Sequence, residues 1–113
     1  MRFQVSALCK VLGVGAFLLI FSLVLQGGPK PDDGGDLFKQ KCSMCHGVDG
    51  KGYSALKTPD FTDPKVQASL TDKEIVEAIK NGKKGTAMPA FGDKLSDEQI
   101  HSLVTYIRSL KQK

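Results

Sequence analysis

Residues 42–46 read Cys-Ser-Met-Cys-His, and the rest of the chain is best read outward from this stretch. On one helical turn, positions i and i+3 share a face. Cys42 and Cys45 can therefore reach the two vinyl groups along one edge of a haem and form thioether bonds. His46 follows directly, so its imidazole can turn over the ring and bind the iron. Two other uses of these residue types compete. A zinc site takes four ligands, usually as two pairs. Here the remaining cysteine is Cys9, in an apolar leader, and the remaining histidine is His101. A redox dithiol belongs in a βαβ setting, and no strand-like alternation surrounds residues 42–45.

Iron held by one histidine has a second axial position, and a methionine thioether there is an electron-transfer arrangement. Of the three methionines, Met1 is in the leader, and Met44 lies between the anchoring cysteines, unable to reach the opposite face. That leaves Met88, in Gly85-Thr86-Ala87-Met88-Pro89-Ala90-Phe91. The following proline restricts Met88 to extended backbone, which helps hold its sulfur in one place. The competing role for Met88 is as a core gap-filler. His101 is the rival ligand. It falls about 100° from Ile100 on the helical wheel, outside the apolar stripe, and reads as a solvated histidine. A Met88 that left the iron easily would open a site for peroxide or small gases, which is the competing function.

Around the motif the pattern is helical. Asp36–Cys45 reads as a short helix, with Asp36 in its first turn. Gly47–Gly52 (GVDGKG) reads as a flexible loop, and Tyr53–Gln67, with Pro59 and Pro64, as irregular structure. Thr71-Asp-Lys-Glu74 is a capping box, followed by apolar Ile75, Val76 and Ile79 and stopped at Asn81-Gly82. Lys83–Leu95 is a loop carrying Met88. Ser96-Asp-Glu-Gln99 is a second capping box, followed by Ile100, Leu103, Val104, Ile107 and Leu110 on one stripe. Arg108, Lys111 and Lys113 suit the negative end of that helix.

The 113 residues suffice for one domain, and the first 28 look different from the rest. Arg2 and Lys10 are the only charges before Lys30, and Val11–Leu25 is apolar apart from small residues and Ser22. This is a positive n-region and an h-region, as in a secretory signal. A retained N-terminal membrane anchor is the alternative. The h-region length favours the signal, although Leu25–Gly28 lacks a clean cleavage pattern. Residues 29–35 are a Pro- and Gly-rich linker, and residues 36–113 form the domain. Without the leader, 14 basic residues face 12 acidic ones. That balance gives no nucleic-acid signal. Lys80, Lys83, Lys84 and Lys94 cluster around the Met88 loop, where they could steer an acidic partner or simply be solvated. Apolar residues outside the helices are few, which suits a fold centred on a cofactor.

With Gly34 and Phe38 before the Cys42–His46 motif, Met88-Pro89 after it, and Leu103 and Tyr106 on a terminal helix, residues 34–111 resemble the class I c-type cytochromes. Among these small single-haem electron carriers, the short bacterial members and the cytochrome domains of terminal oxidases are most similar in loop length. The resemblance implies an all-α fold of three to four helices around one covalently bound haem c. It implies that the N- and C-terminal helices cross, Gly34 and Phe38 meeting Leu103 and Tyr106. It also implies that the Pro59 carbonyl accepts a hydrogen bond from His46. Finally, it implies an exported protein, periplasmic or tethered to the outer face of the inner membrane. There it would exchange single electrons with redox protein partners such as a terminal oxidase or reductase complex, as a monomer or a complex subunit.

Overall fold

The computed structural model describes residues 33–111. The leader, Cys9 and the boundary at residue 28 lie outside the described residues. All regular structure among the described residues is helical: α1 (Gly34–Lys41), α2 (Ser43–His46), a 3-10 turn at Ser54–Leu56, α3 (Pro64–Ser69), α4 (Asp72–Asn81) and α5 (Asp97–Ser109). None of these helices is long and apolar enough to cross a membrane.

Local signals account for most of the helix ends. The Thr71 hydroxyl accepts from Glu74 N–H while the Glu74 carboxylate accepts from Thr71 N–H, so both halves of the first capping box form. Ser96 and Gln99 form the second. Each box satisfies two backbone N–H groups that would otherwise lack partners. α1 begins at Gly34, two residues ahead of the start suggested by Asp36, because the Asp33 carboxylate caps it by accepting from Gly35 N–H. It also ends earlier, at Lys41. α3 falls where irregular structure was expected. Asp63 caps it and Pro64 occupies its first turn, a position where a missing N–H breaks no bond. Read from sequence, Pro64 is a breaker; in the structure it is an initiator.

The core is one cluster dominated by the stripe of α5: Ile100, Leu103, Val104, Ile107 and Leu110. Leu37 and Phe38 of α1, Ile75 and Ile79 of α4, and Phe61 and Leu95 complete it. Burying a side chain of this size stabilises by roughly 1.5–3 kcal/mol. The crossing of α1 and α5 is the tightest contact. A Cβ placed on Gly34 would sit 2.0 Å from the Ser102 carbonyl oxygen, so only glycine lets the two backbones meet. One turn on, the rings of Phe38 and Tyr106 pack at a tilt, centroids 5.2 Å apart, and Leu103 is wholly buried. The helix crossing implied by the resemblance is therefore present, with the four residues in the expected places.

Candidate haem-binding site

Cys42 joins α1 to α2, its backbone in the right-handed helical region (φ −117, ψ −31). Its N–H still donates to Phe38 O at 2.9 Å. Its carbonyl accepts from both Cys45 N–H (3.2 Å) and His46 N–H (2.9 Å). All three residues of the motif thus hang from one peptide group on one short turn. Both thiols are unbonded and half-buried. Burial, and to a lesser degree Cys45, push the Cys42 thiol up to about 11, so it is protonated at neutral pH and is not a poised thiolate. Among the described residues no three His, Cys, Asp or Glu side chains converge as a metal site. Met44 is 88 % exposed, away from any buried ligand position.

Two core aromatics lie against His46. The Phe61 ring stacks on it at 5.2 Å with the planes 20° apart, and the Phe38 ring tilts against it at 6.3 Å. Burial lowers its pKa from the ordinary histidine range, so at neutral pH the imidazole is uncharged, the form that can bind a metal. Its Nδ1 is buried with no hydrogen-bond partner. The expected bond to the Pro59 carbonyl is not made. The chain after His46 turns back on itself instead: Gly52 N–H donates to His46 O at 2.8 Å and Phe61 N–H to Gly50 O at 2.8 Å. The GVDGKG segment is therefore a set of hydrogen-bonded turns rather than the flexible loop its composition suggested.

Met88 reaches the same core from another segment. Cys42 and Met88, both half-buried, pack against the one hydrophobic cluster, together with Phe91. The Met88 loop is tied to the end of α4. Lys83 N–H donates to Met88 O (3.3 Å), Phe91 N–H to Ile79 O (2.9 Å) and Gly92 N–H to Lys80 O (3.1 Å). Gly82, with φ 69 and ψ −176, closes α4 directly beneath it, and a Cβ there would lie 2.8 Å from Met88 O. His101 is exposed on α5. Of the four lysines near this loop, Lys80 is committed to Asp97 at 2.6 Å and Lys94 lies over the Phe91 ring at 5.9 Å. Lys83 and Lys84 are exposed.

Two contacts of the site had no sequence signal: the stacking of Phe61 on His46, and the buried polar group that holds Phe61, described below. Neither follows from a period or a motif, because the partners belong to segments without regular spacing.

The donors on hand are a neutral imidazole, a thioether and two free thiols i and i+3 apart. A neutral imidazole keeps one ring nitrogen as a lone-pair donor for a metal. Nitrogen and sulfur donors bordering an apolar core fit a haem.

The profile of the family described as "Cytochrome C oxidase, cbb3-type, subunit III" matches residues 29–107. The chain is 39 % identical over 95 residues to the cbb3-type cytochrome c oxidase subunit CcoP of Rubrivivax gelatinosus, a match covering 81 % of this chain and 31 % of that one. It thus spans about a third of the length of the curated oxidase subunits it matches. It is 35 % identical over 80 residues to cytochrome c6 of Leptolyngbya boryana, covering 71 % of this chain and 92 % of that one. Among solved structures, the KustC0563 c-type cytochrome superposes with a TM-score of 0.65 at 36 % identity, covering 70 % of this chain and 98 % of that chain. The helical fold, its helix crossing and these matches together show that the chain belongs to the c-type cytochromes, within the cytochrome c oxidase cbb3-type subunit III family.

Proposed function

We propose that this protein is a one-electron carrier holding a single haem c through Cys42 and Cys45, with His46 and Met88 as axial ligands. Bound haem supplies an iron that alternates between the ferrous and ferric states. The protein's part is to hold and to shield. The turn at Cys42–His46 brings two tethering thiols and one imidazole to the same edge of the core. Phe38 and Phe61 pack against the imidazole, and burial keeps it neutral. Met88, fixed by the hydrogen bonds between its loop and α4, offers the second axial donor. With His46 and Met88 both supplied by the chain, the bound group would be left no open position for a substrate. The observation that carries this reading is the gathering of Cys42, Cys45 and His46 on one peptide carbonyl, with the His46 imidazole neutral.

The domain plan follows: residues 1–28 export or anchor the chain, residues 29–35 link, and residues 36–113 carry the haem. The site of action is the periplasm, with the protein free there or tethered to the outer face of the inner membrane, and the partners are redox proteins, a terminal oxidase or reductase complex among them. Lys83 and Lys84, exposed beside the Met88 loop, would draw an acidic partner and raise its rate of encounter.

Intact mass of the exported protein tests the tether. The parent should carry the mass of one haem, and Cys42→Ala with Cys45→Ala should carry none. A parent without that added mass would end the proposal.

A further inference from the structure

Gln67 on α3 is the one buried polar side chain among the described residues, at 6 % exposure. Its amide is fully used. Nε2 donates to Phe61 O at 2.6 Å and to Ile107 O at 2.8 Å, and Oε1 accepts from Arg108 Nη1 at 2.9 Å. Two carbonyls on one side and a guanidinium on the other dictate which way the amide points. Arg108 completes the clasp by donating from Nη1 to Gln67 O (2.8 Å), from Nη2 to Leu70 O (2.6 Å) and from Nε to Asp72 Oδ1 (2.7 Å). From its place near the end of α5, Arg108 reads as a charge complementing the helix dipole. In the structure it bolts α5 to the end of α3 and the start of α4.

The clasp ends on Phe61. The Phe61 N–H is held by Gly50 O and its carbonyl by Gln67, so its backbone is pinned on both sides. Its ring lies nearly flat on His46. Of the two ring contacts His46 makes among the described residues, this is the flatter: Phe38 meets it at a tilt, and Nδ1 makes no hydrogen bond. Groups one step removed from a metal commonly set the orientation of its ligands. We infer that Gln67 and Arg108 are positioning residues for the axial histidine, acting through Phe61 to set the plane of the His46 ring.

This inference rests on His46 being an iron ligand, as proposed above. The test uses the ferric holoprotein and reads its electron paramagnetic resonance g-values and the spread of its haem-methyl proton shifts, both of which follow the axial imidazole plane. Gln67→Glu keeps an acceptor for Arg108 but turns a carboxylate toward two carbonyls, releasing Phe61. Phe61→Leu keeps the core filled but removes the flat contact. Both should shift the g-values and the methyl pattern in the same sense, with Arg108→Lys shifting them less. Ser96→Ala, which removes the α5 cap, should lower the unfolding temperature and leave the spectra as in the parent. If Gln67→Glu does not fold, Phe61→Leu decides alone. Parent-like spectra in Phe61→Leu, or in Gln67→Glu with only its melting temperature lowered, would overturn the positioning role. A parent with no haem signal would instead overturn the ligation on which it stands.

Discussion

The two segments proposed to hold the iron are held in different ways. His46 is set by packing: a turn hung from Cys42, two aromatic rings against the imidazole, and a pinned Phe61 behind one of them. Met88 is set by backbone hydrogen bonds across a loop whose residues 83–87, 89 and 90 are exposed. Regions with few buried contacts and solvent-facing hydrogen bonds open at lower free energy than the core. The comparison implies that the thioether side of the site yields first, to heat or to an added ligand, while the histidine side persists until the domain unfolds.

The largest effect should come from breaking the packed side at its root. Gly34→Val sets side-chain atoms into the Ser102 carbonyl, where neither backbone can move aside. The expected loss is at or above about 3 kcal/mol, the upper end of ordinary overpacking. It should show in thermal unfolding as a collapse of both ligand segments together. Next, Leu103→Ala empties a fully buried position of the same crossing and should cost about 2–5 kcal/mol, read in a denaturant titration.

Gly82→Ala sharpens the contrast. It forces a side chain into a backbone conformation reserved for glycine, at about 1–3 kcal/mol, and crowds the Met88 carbonyl. Ferric spectra should lose the sulfur ligand at temperatures where circular dichroism still shows a folded domain. Simultaneous loss of both signals would erase the distinction between the two sides.

The smallest effect lies far from both. Hydrogen bonds from Thr71 N–H and hydroxyl hold the Glu74 carboxyl below its usual range. A folded value below the unfolded one means that this stabilisation is present above the unfolded pKa and fades as pH falls through the folded one. Glu74→Gln should therefore melt slightly below the parent at pH 7, and the gap should close as the pH falls through the lowered carboxyl value.

What could be read from sequence divides along physical lines. α4 was legible at both ends and α5 at its start, because capping boxes, a helix-stopping glycine and a 3.6-residue stripe are local signals, and Thr71, Ser96 and Gly82 supply them. The Cys42–His46 turn was legible for the same reason. The meeting of Gly34 and Phe38 with Leu103 and Tyr106 came only through the family resemblance, since nothing local couples residues so far apart in the chain. α3 was missed because Pro64 both breaks and begins helices, and only Asp63 before it tips the balance. Pro59 was misassigned because spacing does not say where a carbonyl points. The clasp of Gln67, Arg108 and Phe61 was invisible: a buried glutamine looks like any other polar residue until its partners, some 40 positions away, are in place.

The most direct test of the account is the ferric absorption spectrum of the holoprotein, at its red end, where a weak band reports sulfur bound to iron. It should be present in the parent and in Met44→Ala and absent in Met88→Ala, with covalent haem retained in all three. A band that survives the loss of Met88, or a parent that never shows one, would contradict the account.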